Sequence, residues 1–104
     1  MADPKKILVI DDDPDTRTFF ATLLEDAGHE TVMAENGREA LEKVKNQRPD
    51  LITLDISMPE TSGVRFYRDM KENDEYTGIP IIIITGISTD FEKFISTRRQ
   101  VSPP

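Results

Sequence analysis

The sequence predicts a single α/β domain, a parallel sheet covered by helices on both faces. Three observations carry this. Four short apolar runs are separated by stretches whose apolar residues recur at helical spacing. Strands alternating with helices imply crossover connections and parallel pairing, and right-handed crossovers restrict the topology to a few doubly wound orders. The length, 104 residues, allows one core that buries about two-thirds of the unfolded surface, but not two.

The elements follow in order. Lys6 to Ile10 (KILVI) is an apolar run bounded by charge and reads as a buried strand. Asp13-Pro14 supplies an N-cap and a first helical residue. Phe19, Phe20, Leu23, Leu24 and Ala27 then form one helix face, closed by Gly28. Glu30 to Ala34 is a weaker strand. Asn36 with Glu39 three residues later marks a second helix start; Ala40, Leu41 and Val44 are its stripe, and Pro49 its stop. Leu51 to Leu54 is a third strand, followed at once by Asp55. Pro59 and Gly63 punctuate a loop. Val64, Phe66, Tyr67 and Met70 predict a third helix to about Asn73. Ile81 to Ile84 is the most β-branched run of the chain and the fourth strand. Thr89, Phe91, Glu92, Phe94 and Ile95 predict a short fourth helix.

Composition excludes several chemistries. Thirteen Lys and Arg against twenty Asp and Glu give a net charge of −7, a poor basis for binding a phosphate backbone. There is no cysteine, which removes disulfides, thiolate metal sites and catalytic thiols. One histidine, His29, cannot build a two-histidine metal site. No apolar run approaches the ~20 residues that span a bilayer, and Met1 to Lys6 lack the apolar segment of a secretory signal. The expectation is a cytoplasmic protein with neither nucleic acid nor membrane as partner.

The chemistry is expected at the carboxyl ends of the strands, where open α/β sheets bind ligands. Asp11, Asp12 and Asp13 follow strand 1, Asp55 follows strand 3 and Thr85 follows strand 4. If strands 1 and 3 are neighbours, three or four carboxylates converge. Like charges so close raise a pKa unless a cation neutralises them. A hard divalent ion suits oxygen ligands, and Mg2+ commonly takes one or two carboxylates plus a phosphoryl oxygen. Such an ion also supports phosphoryl transfer to a nucleophilic Asp. Taken singly, each residue has a plainer reading: Asp13 as a helix cap, Asp55 as a turn residue, Thr85 as a strand-end hydroxyl.

Ile7 to Pro14 (ILVIDDDP), Leu54 to Pro59 (LDISMP) with Gly63, and Ile83 to Gly86 (IITG) together resemble the receiver domain of two-component response regulators. The resemblance covers nearly the whole chain, in order. It implies a flavodoxin-like, three-layer αβα fold with sheet order 2-1-3-4-5, of which this sequence supplies 2-1-3-4. It implies that Asp55 accepts a phosphoryl group from a phosphohistidine on a sensor histidine kinase or phosphotransfer protein. By the same resemblance, Asp12 binds Mg2+ directly, Asp11 does so largely through water, Asp55 shares the ion, and Ser57 offers its backbone carbonyl. Thr85 becomes the switch hydroxyl beside the small Gly86. Ser57 and Ile87 fall where such domains tune the lifetime of the phosphorylated state. The fourth helix, Asp90 to about Arg99, becomes the output surface.

The resemblance stops short of a fifth strand, a fifth helix and the lysine that follows that strand. None of Lys43, Lys45, Lys71 or Lys93 occupies an equivalent place. The expectation is a shortened receiver domain, residues 1–104, with phosphorylation weakened but metal binding kept. Strand 4 would be an apolar edge and the face beside Phe19, Phe20 and Leu23 uncovered, so a homodimer through either is expected. Three other readings compete. A receiver-shaped interaction module that takes no phosphate is compatible with the absent lysine. A dehalogenase-type phosphohydrolase needs a second Asp where Ser57 stands. A flavodoxin needs a phosphate loop where Asp11-Asp12-Asp13 would repel one.

Overall fold

The computed structural model describes residues 3–56, 58 and 62–84. Strand β1 spans Lys6–Ile10, helix α1 Pro14–Asp26, β2 Glu30–Ala34, α2 Gly37–Gln47, β3 Leu51–Asp55, α3 Ser62–Glu72 and β4 Ile81–Ile84. The four strands form one sheet in the order β2-β1-β3-β4, with every neighbouring pair parallel. This is the doubly wound α/β architecture expected from the sequence. The expected fourth helix, and with it Thr85, Gly86 and Ile87, lies outside the described residues, as do Ser57 and Pro59.

Local chemistry accounts for the element ends. The Asp13 carboxylate accepts hydrogen bonds from the Thr16 backbone N–H at 3.0 Å and from its hydroxyl at 2.6 Å, capping α1 ahead of Pro14. Gly28 closes the helix at φ +96°, left-handed backbone that glycine adopts without strain. Asn36 caps α2 through a 2.8 Å bond from the Glu39 N–H. The Glu39 carboxylate reaches back to the Glu35 N–H, one residue earlier than in a strict capping box. Pro49 forbids a further helical turn, and Arg48 is left at φ +28° as the C-cap.

The main core lies on the α2–α3 side of the sheet. Leu8, Ile10, Ile52 and Leu54 meet Ala40, Val44, Phe66 and Met70 there, all fully or almost fully buried. Alternation along the strands sends Ile7 and Val9 to the opposite face, where α1 packs against β1 and β2. That helix buries only Ala21 completely. Phe19 and Leu23 remain 58% and 50% exposed, and Ile82 and Ile83 on β4 are about half-exposed. The expected α1 face is therefore only partly covered. In α3, Phe66 and Met70 are the buried anchors, whereas Val64, expected on the same stripe, faces solvent.

Candidate functional site

Parallel register builds the site. Ile10 pairs with Leu54 in the β1–β3 ladder. The next residues, Asp11 and Asp55, therefore stand side by side at the carboxyl edge, on the same face of the sheet. β1 keeps its pairing one step further, since the Asp11 N–H donates to the Ala34 carbonyl at 3.1 Å. On the other side, the Ile56 N–H donates to the Ile84 carbonyl at 3.2 Å, holding the end of β3 to β4. The result is a cluster of Asp11, Asp12 and Asp55 whose carboxylate oxygens lie within 4.8 Å of one another. Asp11 and Asp55 are buried, 3% and 6% exposed, while Asp12 is open to solvent. Asp13, the fourth carboxylate considered from the sequence, caps α1 instead. Its Thr16 hydrogen bonds are the main reason its carboxyl lies below the usual range.

The electrostatics of the cluster are unfavourable for a bare anion. The Asp11 carboxyl is raised from 3.8 to about 6, chiefly by burial. The 2.9 Å hydrogen bond from the Asp13 N–H opposes this, and the charges of Asp55, Asp12 and Asp13 add to it. An all-oxygen donor set under mutual repulsion fits a hard divalent cation such as Mg2+, whose charge would relieve the cost of keeping these acids ionised.

Two residues near the cluster were not singled out for a role at the site by sequence reasoning. Gly63, expected as loop punctuation and as part of the motif carrying the family resemblance, lies against the end of β3. A Cβ there would sit 2.9 Å from the Asp55 carbonyl oxygen and 3.2 Å from the Ile56 Cα, so α3 can approach β3 only through a glycine. Arg17 reaches back from α1, its Nη1 donating to the Asp11 carbonyl oxygen at 2.7 Å. A cleft of about 700 Å³ opens beside Asp12, between the start of α2 and α3.

The fold and site define a class, a doubly wound α/β domain with an acidic cluster at the carboxyl edge of adjacent strands. Comparison with known proteins gives that class its family. A sequence model of the response regulator receiver domain matches residues 7–98, and the chain belongs to that family. It is 38% identical over 85 residues to the polar-differentiation response regulator DivK of Brucella anthropi, covering 82% of this chain and 69% of that protein. It is 43% identical over 83 residues to the sensor kinase/phosphatase CqsS of Vibrio cholerae, covering 79% of this chain and 12% of that protein. Among solved structures, the chemotaxis response regulator CheY4 of Vibrio cholerae superposes with a TM-score of 0.75 at 32% identity, covering 96% of this chain and 82% of that one. The chain is thus a receiver domain of two-component signalling. No helix among the described residues is long and apolar enough to cross a membrane.

Proposed function

We propose that Asp55 accepts a phosphoryl group from a phosphohistidine, carried by a sensor histidine kinase or a phosphotransfer protein, in a Mg2+-dependent reaction. The observation that carries this reading is the convergence of Asp11, Asp12 and Asp55 within 4.8 Å at the end of two adjacent parallel strands. An Asp55 carboxylate oxygen forms the new O–P bond as the P–N bond of the phosphohistidine breaks and the imidazole departs. Mg2+, when bound, neutralises charge on the transferring group. Asp11, Asp12, Asp55 and the Ser57 backbone carbonyl would hold the ion, Asp12 directly and Asp11 largely through water. Thr85 turns its hydroxyl toward the new phosphoryl oxygens, so that a dianion at Asp55 biases the strand-end loops between two packings.

The relatives, response regulators and a sensor kinase/phosphatase, support a relay component over a metabolic enzyme. The half-exposed Phe19, Leu23, Ile82 and Ile83 support a second part of the reading, a homodimer through the β4 edge or the α1 face. A single monomer mass by light scattering at micromolar concentration would refute the dimer alone. The main reading is tested by mass spectrometry after treatment with a small phosphodonor and Mg2+. An adduct of about 80 Da, the mass of the phosphoryl modification, is expected on the wild type and not on Asp55→Asn. Its absence from the wild type would leave an interaction module that takes no phosphate.

A further inference from the structure

The geometry points to Arg17 as the positioning residue of the acidic cluster, an inference that rests on reading Asp11, Asp12 and Asp55 as a divalent-cation site. Asp12 is exposed, and among the described residues no side chain hydrogen-bonds its carboxylate. Its direction is therefore set by the backbone that carries it. The Arg17 Nη1 donates at 2.7 Å to the Asp11 carbonyl oxygen, and that oxygen belongs to the peptide joining Asp11 to Asp12. A peptide unit is planar, so a carbonyl held in place fixes the plane from which Asp12 departs.

Other bonds hold the neighbouring atoms. The Asp11 N–H is bound to Ala34, the Asp11 carboxylate accepts from the Asp13 N–H, and the Arg17 N–H donates to the Asp13 carbonyl at 3.0 Å. All of these use backbone donors and survive substitution at position 17. The Arg17 guanidinium is the one removable tie on the Asp11–Asp12 peptide among them. Its chemistry suits that role, because it stays charged and its planar fork makes a charge-assisted bond of defined direction. It touches no reacting atom; it acts through the loop that presents Asp11 and Asp12.

The test uses the full chain with Mn2+ as the probe, followed by electron paramagnetic resonance, and Mg2+ as competitor. Arg17→Met keeps the stem and removes the donor. It should weaken Mn2+ binding about 10- to 100-fold, the usual effect of removing a partner that orients a ligand. Arg17→Lys, which keeps a cationic donor, should recover part of that loss. The Mg2+ concentration that half-saturates phosphodonor labelling should rise by the same factor, while the labelling rate at saturating Mg2+ stays that of the wild type. A purely structural role would instead lower the saturated rate with the folded fraction. Wild-type Mn2+ affinity in Arg17→Met overturns the assignment and leaves the metal site standing. Absence of Mn2+ binding by the wild type removes the site itself and this inference with it. Should Arg17→Met fail to fold, Arg17→Leu is measured in the same way, and unchanged affinity there is equally decisive against the role.

Discussion

Acidification should weaken divalent-cation binding through one carboxyl, Asp11. Burial raises it from 3.8 to about 6, and a cation held near Asp11, even through water, competes with its proton. If Asp11 titrates near 6, the apparent affinity at about pH 5 should fall roughly elevenfold below its plateau. An ordinary carboxyl would give a change of only about 6% over the same interval. Calorimetric Mg2+ titration at about pH 7.5 and about pH 5 separates the two, and repeating it in buffers of different ionisation enthalpy counts the proton released. Less than about a twofold loss at the lower pH would refute the reasoning.

The sign for the metal-free fold is the opposite. Between 3.8 and about 6, the folded chain holds a proton on Asp11 that the unfolded chain has lost. The buried charge therefore opposes folding most fully above about pH 6, and the penalty is relieved as the pH falls through that window. The rise from 3.8 to about 6 corresponds to roughly 3 kcal/mol at full value. Water reaching the cluster beside exposed Asp12 screens this to about 1–2 kcal/mol. Asp11→Asn should stabilise the metal-free protein by that amount near neutral pH, and the gain should vanish below about pH 4. Denaturant unfolding of both proteins across this range, without metal, reads the difference directly. A destabilised Asp11→Asn at neutral pH would show that the Asp13 N–H bond outweighs desolvation.

Gly63→Ala should destabilise by about 1–3 kcal/mol, since its Cβ meets backbone and not a yielding side chain. It should also slow phosphodonor labelling, because the displaced atoms are the Asp55 carbonyl and Ile56; unchanged unfolding midpoint and labelling would count against the close approach. Phe66→Ala removes a fully buried anchor of the α3–sheet core and should cost about 3–5 kcal/mol by denaturant unfolding.

The strands and caps were legible because each rests on residues adjacent in sequence. KILVI announces a buried strand, the β-branched IIII a strand, Asp13-Pro14 a helix start, and Gly28 a helix end, through local sterics and hydrogen bonding. The meeting of Asp11 with Asp55 was legible at one remove, from alternation and the assumption that strands 1 and 3 adjoin. What was not legible depends on contacts through space. Gly63 resembles any loop glycine until β3 is placed 2.9 Å from its missing Cβ. Arg17 donates to a backbone carbonyl, and every residue has one, so no residue-type pattern marks its partner. The one available sign was its place in the second turn after the Asp13 cap, six residues beyond Asp11. Helical spacing likewise gave the α1 face as a unit, whereas packing over β1 and β2 leaves Phe19 and Leu23 largely outside.

The core and the acidic cluster are consequences of one register. Leu8, Ile10, Ile52 and Leu54 fill the α2–α3 side because alternate residues share a face. The same alternation carries Asp11 and Asp55 to the other side, one step past the paired Ile10 and Leu54. A slip of one residue between β1 and β3 would mismatch the side chains packed against α2 and α3, so packing of the core holds the alignment of the two acids. The chain cannot relax their repulsion by shifting the strands without losing that packing. It is left holding Asp11 in a buried position where its proton is retained to about pH 6. Any cation that binds the folded cluster and not the unfolded chain relieves this strain and stabilises the fold by mass action. A phosphoryl group arriving at Asp55 would add negative charge to the same crowded point, so ion binding and acceptor chemistry are coupled through the electrostatics of three carboxylates.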